Sequence, residues 1–251
     1  MLARSRLHAV RFGAGPKVFV GLHGWSGSHR SFEPLNPFIP PDVSFHAVDL
    51  PGFGRSPDPS GWDMERFLGP IDESIPPGPV TLVGACGGAV IALFLAVHRP
   101  ERVERLVMID PFAFAPWYFG IFDTPLLGPL FYGLSFMNPI GRWLTNQGVR
   151  RHRSAETDLI EGFKEVRHAS NLAYLRLLVQ NSRVDFRRFE AYPGPVDLLR
   201  GRRTFPAVAA GVPKWRGVWP HLRDVVIDEA GHLPIFEATG EVARWVFDEH
   251  D

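Results

Sequence analysis

Cys86 is the only cysteine of the chain and stands at the centre of "LVGACGGAV", Leu82 to Val90, between an apolar run and a segment of helical spacing. A thiol so placed can attack a carbonyl carbon, provided that a base takes its proton and hydrogen-bond donors hold the resulting oxyanion. The order strand, tight turn with small neighbours, helix is that of a nucleophile elbow, in which the central side chain stands exposed at the helix N-terminus. Gly84 and Gly88 flank Cys86 where side chains would clash, and the positive end of the helix favours a thiolate. A buried structural cysteine in a glycine-rich turn is the competing account of the same residues.

His232, in "DEAGHLPIFE", follows an apolar run and a glycine and precedes the last helical segment, the setting of a loop-borne general base. "GLHGWSGSHRSFEPL" also opens directly after an apolar run. The turn at His23 and Gly24 leaves the amide of Trp25 able to point at a developing oxyanion, with the amide of Gly87 as the second donor. An ordinary strand-to-helix loop would carry the same residues. The remaining histidines have no comparable setting.

These groups need a scaffold that gathers loop residues at one edge. "KVFVGLHG", "VSFHAVDLPG", "PVTLVGACGG", "VERLVMIDP", "PVDLLRG" and "RDVVIDEAGH" are short, mostly β-branched apolar runs that end in Gly, Pro, Asp or His, as buried strands of a parallel sheet do. Helical spacing in "AVIALFLAVHRPERV" and "GEVARWVFDEH" lies between and after them, so the alternation predicts an α/β fold with catalytic groups at the strand ends. The opening "SRLHAVRFGAGPK" reads as a strand pair or hairpin leading into the sheet. From Pro111 to about Pro193 the rhythm breaks, first into a stretch rich in Phe, Leu, Pro and Gly, then into charged and apolar residues at helical spacing. The expected organisation is a core of residues 1–110 and 194–251 with a lid inserted at 111–193. Pro116, Gly120, Pro125, Gly128, Pro129 and Gly133 interrupt any uniform membrane-crossing span, so a lid over an apolar pocket is the better reading.

At 251 residues, the chain can bury a substantial core. Lys and Arg total 27, as do Asp and Glu, which argues against electrostatic capture of nucleic acid. One cysteine rules out an internal disulfide and a multi-cysteine zinc site, and fits a reducing compartment. The start, "MLARSRLHAV", lacks the apolar segment of a signal peptide, so the cytoplasm is the expected location. Nothing in the sequence calls for a metal or another cofactor.

With "DLPGFGRS", Asp49 to Ser56, these motifs resemble the α/β-hydrolase superfamily across nearly the whole chain. The resemblance implies a mostly parallel sheet flanked by helices, a helical cap inserted after the sixth strand of that fold, and a nucleophile–histidine–acid triad. It makes Cys86 the nucleophile, His232 the base and the amides of Trp25 and Gly87 the oxyanion hole, and it places Asp49 in a structural loop. Two features depart from the pattern. Most relatives have serine at the elbow, and an engineered serine-to-cysteine change would give the same sequence. The usual position of the acid, in "LLRGRRTFPAV", offers Arg202, Arg203 and Thr204 instead. Asp110, in "LVMIDPF", is the substitute, because some family members place their acid after that strand. Asp197 lies within a strand, and Asp228 and Glu229 stand too close to His232 in sequence. The resemblance implies acyl transfer through an acyl-enzyme, with a small apolar ester or thioester as substrate and water, an alcohol or an amine as acceptor. Esterase or thioesterase, acyltransferase, and a ligand-binding protein on a hydrolase scaffold all remain open, as does a homodimer made through aromatic side chains of the lid.

Overall fold

The computed structural model describes residues 6–248. Ser5, Glu249 and His250, outer residues of two expected segments, lie outside the described residues, as do the first five residues of "MLARSRLHAV". The sheet has seven strands in the order β1-β3-β2-β4-β5-β6-β7. They are β1 (Ala9–Gly13), β2 (Lys17–Leu22), β3 (Val43–Val48), β4 (Val80–Ala85), β5 (Val103–Ile109), β6 (Val196–Gly201) and β7 (Arg223–Ile227). All six apolar runs form strands and pair in parallel.

The opening stretch departs from expectation. β1 does not fold back on β2 but pairs antiparallel with β3, Ala9 facing Val48 and Gly13 facing Ser44. The partner strand is parallel to β2 and lies between the two, so the expected hairpin is replaced by a single edge strand. Its alternating exposure is that of an edge strand, whereas the inner strands are buried along most of their length.

The period of two sorts adjacent residues to opposite faces of the sheet. Leu82, Leu106 and Leu198 join one apolar cluster, and their neighbours Val83, Val107 and Leu199 join the other. Helices α1 (Met64–Ser74) and α2 (Gly87–His98) follow β3 and β4. α2 is apolar from Ala89 to Ala96 and buried nearly all round, as a helix without a polar face must be. It stops before Pro100, earlier than the apolar spacing suggested, and a short 3₁₀ turn leads into β5.

Between β5 and β6 the chain forms a 3₁₀ turn (Trp117–Asp123), α3 (Leu127–Tyr132), a π-helical turn (Gly133–Met137), α4 (Pro139–Val149) and α5 (His168–Asn181). Their inner side chains make a third apolar cluster, including Phe122, Phe136, Phe163 and Leu175, with the Phe136 and Phe163 rings stacked at 4.3 Å. α6 (Pro206–Val218) precedes β7, and α7 (Pro234–Glu237) and α8 (Thr239–Phe247) close the chain. Among the described residues no helix is long and apolar enough to cross a membrane.

Candidate active site

Cys86 ends β4 and caps α2 with φ 51° and ψ −118°. A non-glycine residue in this region costs on the order of 1–3 kcal/mol and persists only where its surroundings hold it. Here the Cys86 amide donates to the Ile109 carbonyl at 2.8 Å, and its carbonyl accepts from the Ala89 amide at 3.1 Å. The flanking glycines are required by close approach. A Cβ on Gly84 would lie 2.3 Å from the Ala89 Cα, and one on Gly88 would lie 2.1 Å from the Leu22 carbonyl oxygen. The elbow geometry read from the sequence is therefore present, including its strain.

The ends of three neighbouring strands meet behind the thiol. Asp110, immediately after β5, has φ 52° and anchors its amide on the Leu199 carbonyl at 2.7 Å. Its Oδ1 accepts from the Gly201 amide at 3.0 Å, and its Oδ2 accepts from His232 Nδ1 at 2.5 Å and from the Thr204 hydroxyl. His232, after β7, donates its amide to the His152 carbonyl at 2.7 Å and lies between the rings of Phe112 and Phe205. With Nδ1 committed to Asp110, the other ring nitrogen is left free to serve the Cys86 sulfur, whose charge acts on the ring. Burial alone would lower the pKa of His232. Negative charge on Cys86 and the hydrogen bonds to Asp110 and Cys86 outweigh it and raise the pKa to about 10.

The structure thus brings Cys86, His232 and Asp110 together and leaves the other carboxylates elsewhere. Asp197 is held by Arg105 and Arg223, and Asp228 pairs with Arg202. Asp49 accepts from the His29 and Arg55 amides and from the rings of His8 and His29, as a buried loop anchor. The ligand atoms of His8, His29 and Asp49 lie within 4.8 Å of one another, but these donors already occupy the carboxylate. Thr204, at the expected position of an acid, supplies a hydroxyl to Asp110 and lies 3.4 Å from His232 Nδ1.

The loop after β2 faces the thiol from the other side. His23 is fully buried, with Nε2 accepting from the Leu50 amide at 3.0 Å and Nδ1 donating to the Gly24 carbonyl at 2.9 Å. Burial lowers its pKa to about 4, and the two hydrogen bonds fix the neutral ring. A Cβ on Gly24 would lie 2.9 Å from the Cys86 Cβ, so this backbone passes directly over the elbow. Among the described hydrogen bonds, none engages the amide of Trp25 or of Gly87. The Trp25 indole donates to the Asn171 carbonyl at 3.0 Å and meets the rings of Phe119, Phe136 and Phe163 edge-on.

A cavity of about 70 Å³, measured by the centres of a water-sized sphere, opens at Cys86 and Gly87. Its walls are mainly apolar and come from α2, α5 and the segment after β5, with Phe94, Phe119 and Leu178 among them. Two buried polar atoms that sequence reasoning missed lie near this region. The Trp215 side chain lines the cavity, and its Nε1 is buried without a partner. The Tyr174 hydroxyl is also buried and unpaired, and lies 3.1 Å from where a Cβ on Gly87 would stand. Burial, reinforced by the charge of Cys86, holds Tyr174 in its neutral, proton-donating form. Nothing in the local sequence singles out either residue, and only an unpaired buried donor marks them.

A family model described as alpha/beta hydrolase fold matches residues 17–239. The chain belongs to this family. Within the alpha/beta hydrolases, it is 27% identical over 234 residues to a pimeloyl-[acyl-carrier protein] methyl ester esterase of Klebsiella pneumoniae, covering 88% of this chain and 89% of that protein. The corresponding esterase of Aeromonas hydrophila is 29% identical over 238 residues, covering 89% of this chain and 91% of that protein. Among solved structures, the enol-lactonase from Burkholderia xenovorans LB400 superposes with a TM-score of 0.76 at 15% identity, over 96% of this chain and 94% of its own, a likeness of fold. The match runs through the parallel strands β2 to β7 and the helices after β5, and the edge strand β1 precedes it.

Proposed function

We propose that this alpha/beta hydrolase is a carboxylic ester hydrolase working through a Cys86 acyl-enzyme on an ester or thioester with a mainly apolar acyl group. The reading is carried by one observation, the Asp110–His232 hydrogen bond at the strand ends beside a strained Cys86 that opens on an apolar cavity. The esterase relatives support the reaction class.

The sulfur attacks the carbonyl carbon while His232 keeps the thiol proton as an imidazolium stabilised by Asp110. The carbonyl oxygen takes up the electron pair and is held by the amides of Trp25 and Gly87, with the Tyr174 hydroxyl a further donor beside them. Collapse breaks the bond to the leaving alcohol or thiol, which takes the proton from His232. Water then gives a proton to His232 and adds to the thioester, and expulsion of the Cys86 sulfur releases the carboxylic acid. The segment 111–193 serves as the lid, and the apolar walls favour a mainly apolar acyl group. A free thiol nucleophile suits a reducing compartment such as the cytoplasm.

The test is intact mass after brief exposure to activated acyl esters, with Cys86→Ala and Cys86→Ser beside the parent. A transient acyl adduct on the parent, absent from Cys86→Ala, together with acid release reduced at least a thousandfold in that variant, is the expected outcome. Product partition with an added alcohol or amine distinguishes hydrolysis from acyl transfer. A folded parent that binds acyl compounds but forms no adduct across the panel sinks the reading in favour of a binding protein.

A further inference from the structure

The outer face of the α3–α4 hairpin is apolar where a surface helix is ordinarily polar. Leu127, Leu130, Phe131 and Leu134 follow one another at helical spacing along the first arm and are all exposed, while Tyr132 and Phe136 of the same arm are buried. On α4, Ile140, Trp143 and Leu144 repeat the pattern, with Ile140 72% and Trp143 61% exposed. Leu126 and Trp117, beside the base of the first arm, are 86% and 90% exposed. Both helices therefore carry apolar residues on the solvent side as well as the core side, and a contiguous patch of this kind marks an interaction surface.

Several polar side chains of the hairpin are tied to its own backbone. Asn138 caps α4 through the Gly141 amide and donates to the Gly133 and Leu134 carbonyls. Thr145 donates to the Ser135 carbonyl, and Arg142 to the Phe136 carbonyl. A protein interface of ordinary kind carries roughly one hydrogen bond per 100–200 Å², which this face is poorly equipped to supply.

Charge selects the occupant. From Thr124 through Ala155 the sequence has no Asp or Glu but four arginines, Arg142, Arg150, Arg151 and Arg153. Arg150 and Arg151 are exposed, and no carboxylate among the described residues pairs with them. They stand in the 3₁₀ turn Arg150–His152 directly after α4, at the end of the helix that carries Trp143 and Leu144. A second copy packed on the same patch would bring like charges together across a twofold axis. Hydrocarbon for Leu and Ile, an interfacial layer for Trp and anionic headgroups for Arg are found together at one kind of surface.

We propose that the α3–α4 hairpin docks on an anionic phospholipid membrane, lying in its surface rather than crossing it. The inference is independent of the reaction assigned to Cys86. Its test is sedimentation of the full chain with vesicles of phosphatidylcholine alone and of phosphatidylcholine mixed with phosphatidylglycerol. The parent is expected to bind the mixed vesicles at least tenfold more tightly, and rising salt should erode the difference. Ile140→Ser/Trp143→Ser should lower binding to both kinds of vesicle at least tenfold. Arg150→Gln/Arg151→Gln should remove only the preference for phosphatidylglycerol, by about fivefold per arginine. Near-ultraviolet circular dichroism confirms that each variant is folded, and the arginine pair tests the proposal even if the apolar pair does not fold. Absence of the folded parent from mixed vesicles would overturn the proposal. So would binding indifferent to the arginines, or a dimer in solution that Ile140→Ser/Trp143→Ser dissociates.

Discussion

Two buried histidines, in the loops after β2 and β7, are held in opposite charge states. His23 loses its solvent and gains one donor and one acceptor, which suit only the neutral ring, so burial takes its pKa down to about 4. His232 is also buried, yet the charge of Cys86 and the bond to Asp110 act on it, and its pKa rises to about 10. Burial therefore fixes how much a neighbour matters, and the neighbour fixes the sign. One ring becomes a structural bracket in the loop that carries the Trp25 amide, and the other is the proton carrier of the proposed mechanism.

The largest effect should come from removing the neighbour that distinguishes them. Asp110→Asn is expected to lower kcat by about 10⁴, as loss of the acid does where a triad operates. It should also move the alkaline limb of the pH–rate profile to lower pH, because part of the charge holding the His232 proton is gone. A profile unchanged in shape would break the comparison at its stronger end.

The next effect is one of stability. Below pH 6.5 the unfolded chain protonates His23 while the folded chain does not, so its contribution is present above that pH and is lost as pH falls towards about 4. The fall from 6.5 to about 4 corresponds to on the order of 3 kcal/mol. Urea unfolding of the parent at pH 7 and 4.5 should show this loss, and His23→Gln should flatten it. Equal pH dependence in the two proteins would remove His23 from the account. His232 has the opposite sign, since its folded-state proton stabilises below pH 6.5 and the benefit disappears as pH rises through about 10.

The smallest effect is expected at Thr204, whose hydroxyl shares Asp110 Oδ2 with His232. Thr204→Val leaves the carboxylate and ring in contact and should cost about 1 kcal/mol, or roughly fivefold in kcat/KM. A loss approaching that of Asp110→Asn would mean that the hydroxyl, rather than the carboxylate, orients the ring.

Much of this was legible in the sequence, for identifiable reasons. The inner strands are buried on both faces and read as unbroken apolar runs, and the elbow announces itself because Gly84 and Gly88 have neighbours where a side chain would be. The pairing of β1 was not legible, since a short alternating strand can join any open edge, and its true partner begins thirty positions further on, after β2. The contact between Asp110 and His232 spans 122 positions, and local spacing carries no information about it; only the family resemblance pointed to it. Thr204 was noticed as the residue standing where an acid was expected, but a threonine in a loop gives no sign of its hydrogen bond. Tyr174 and the exposed face of α3 and α4 were illegible for a shared reason. Helical periodicity shows that apolar residues share a side, but not whether that side meets a core, a cavity or solvent.

Trp25 belongs to two places at once. Its backbone amide stands at the elbow, and its indole is gripped by Phe119, Phe136, Phe163 and the Asn171 carbonyl, all from the segment between β5 and β6. If that segment swings away to admit a molecule, the same movement pulls on the residue that would steady the oxyanion. The protein then works like an airlock: with the door open the chemistry is disarmed, and sealing the door sets it again, so a bound acyl group meets its catalytic donors only after the bulk solvent has been shut out.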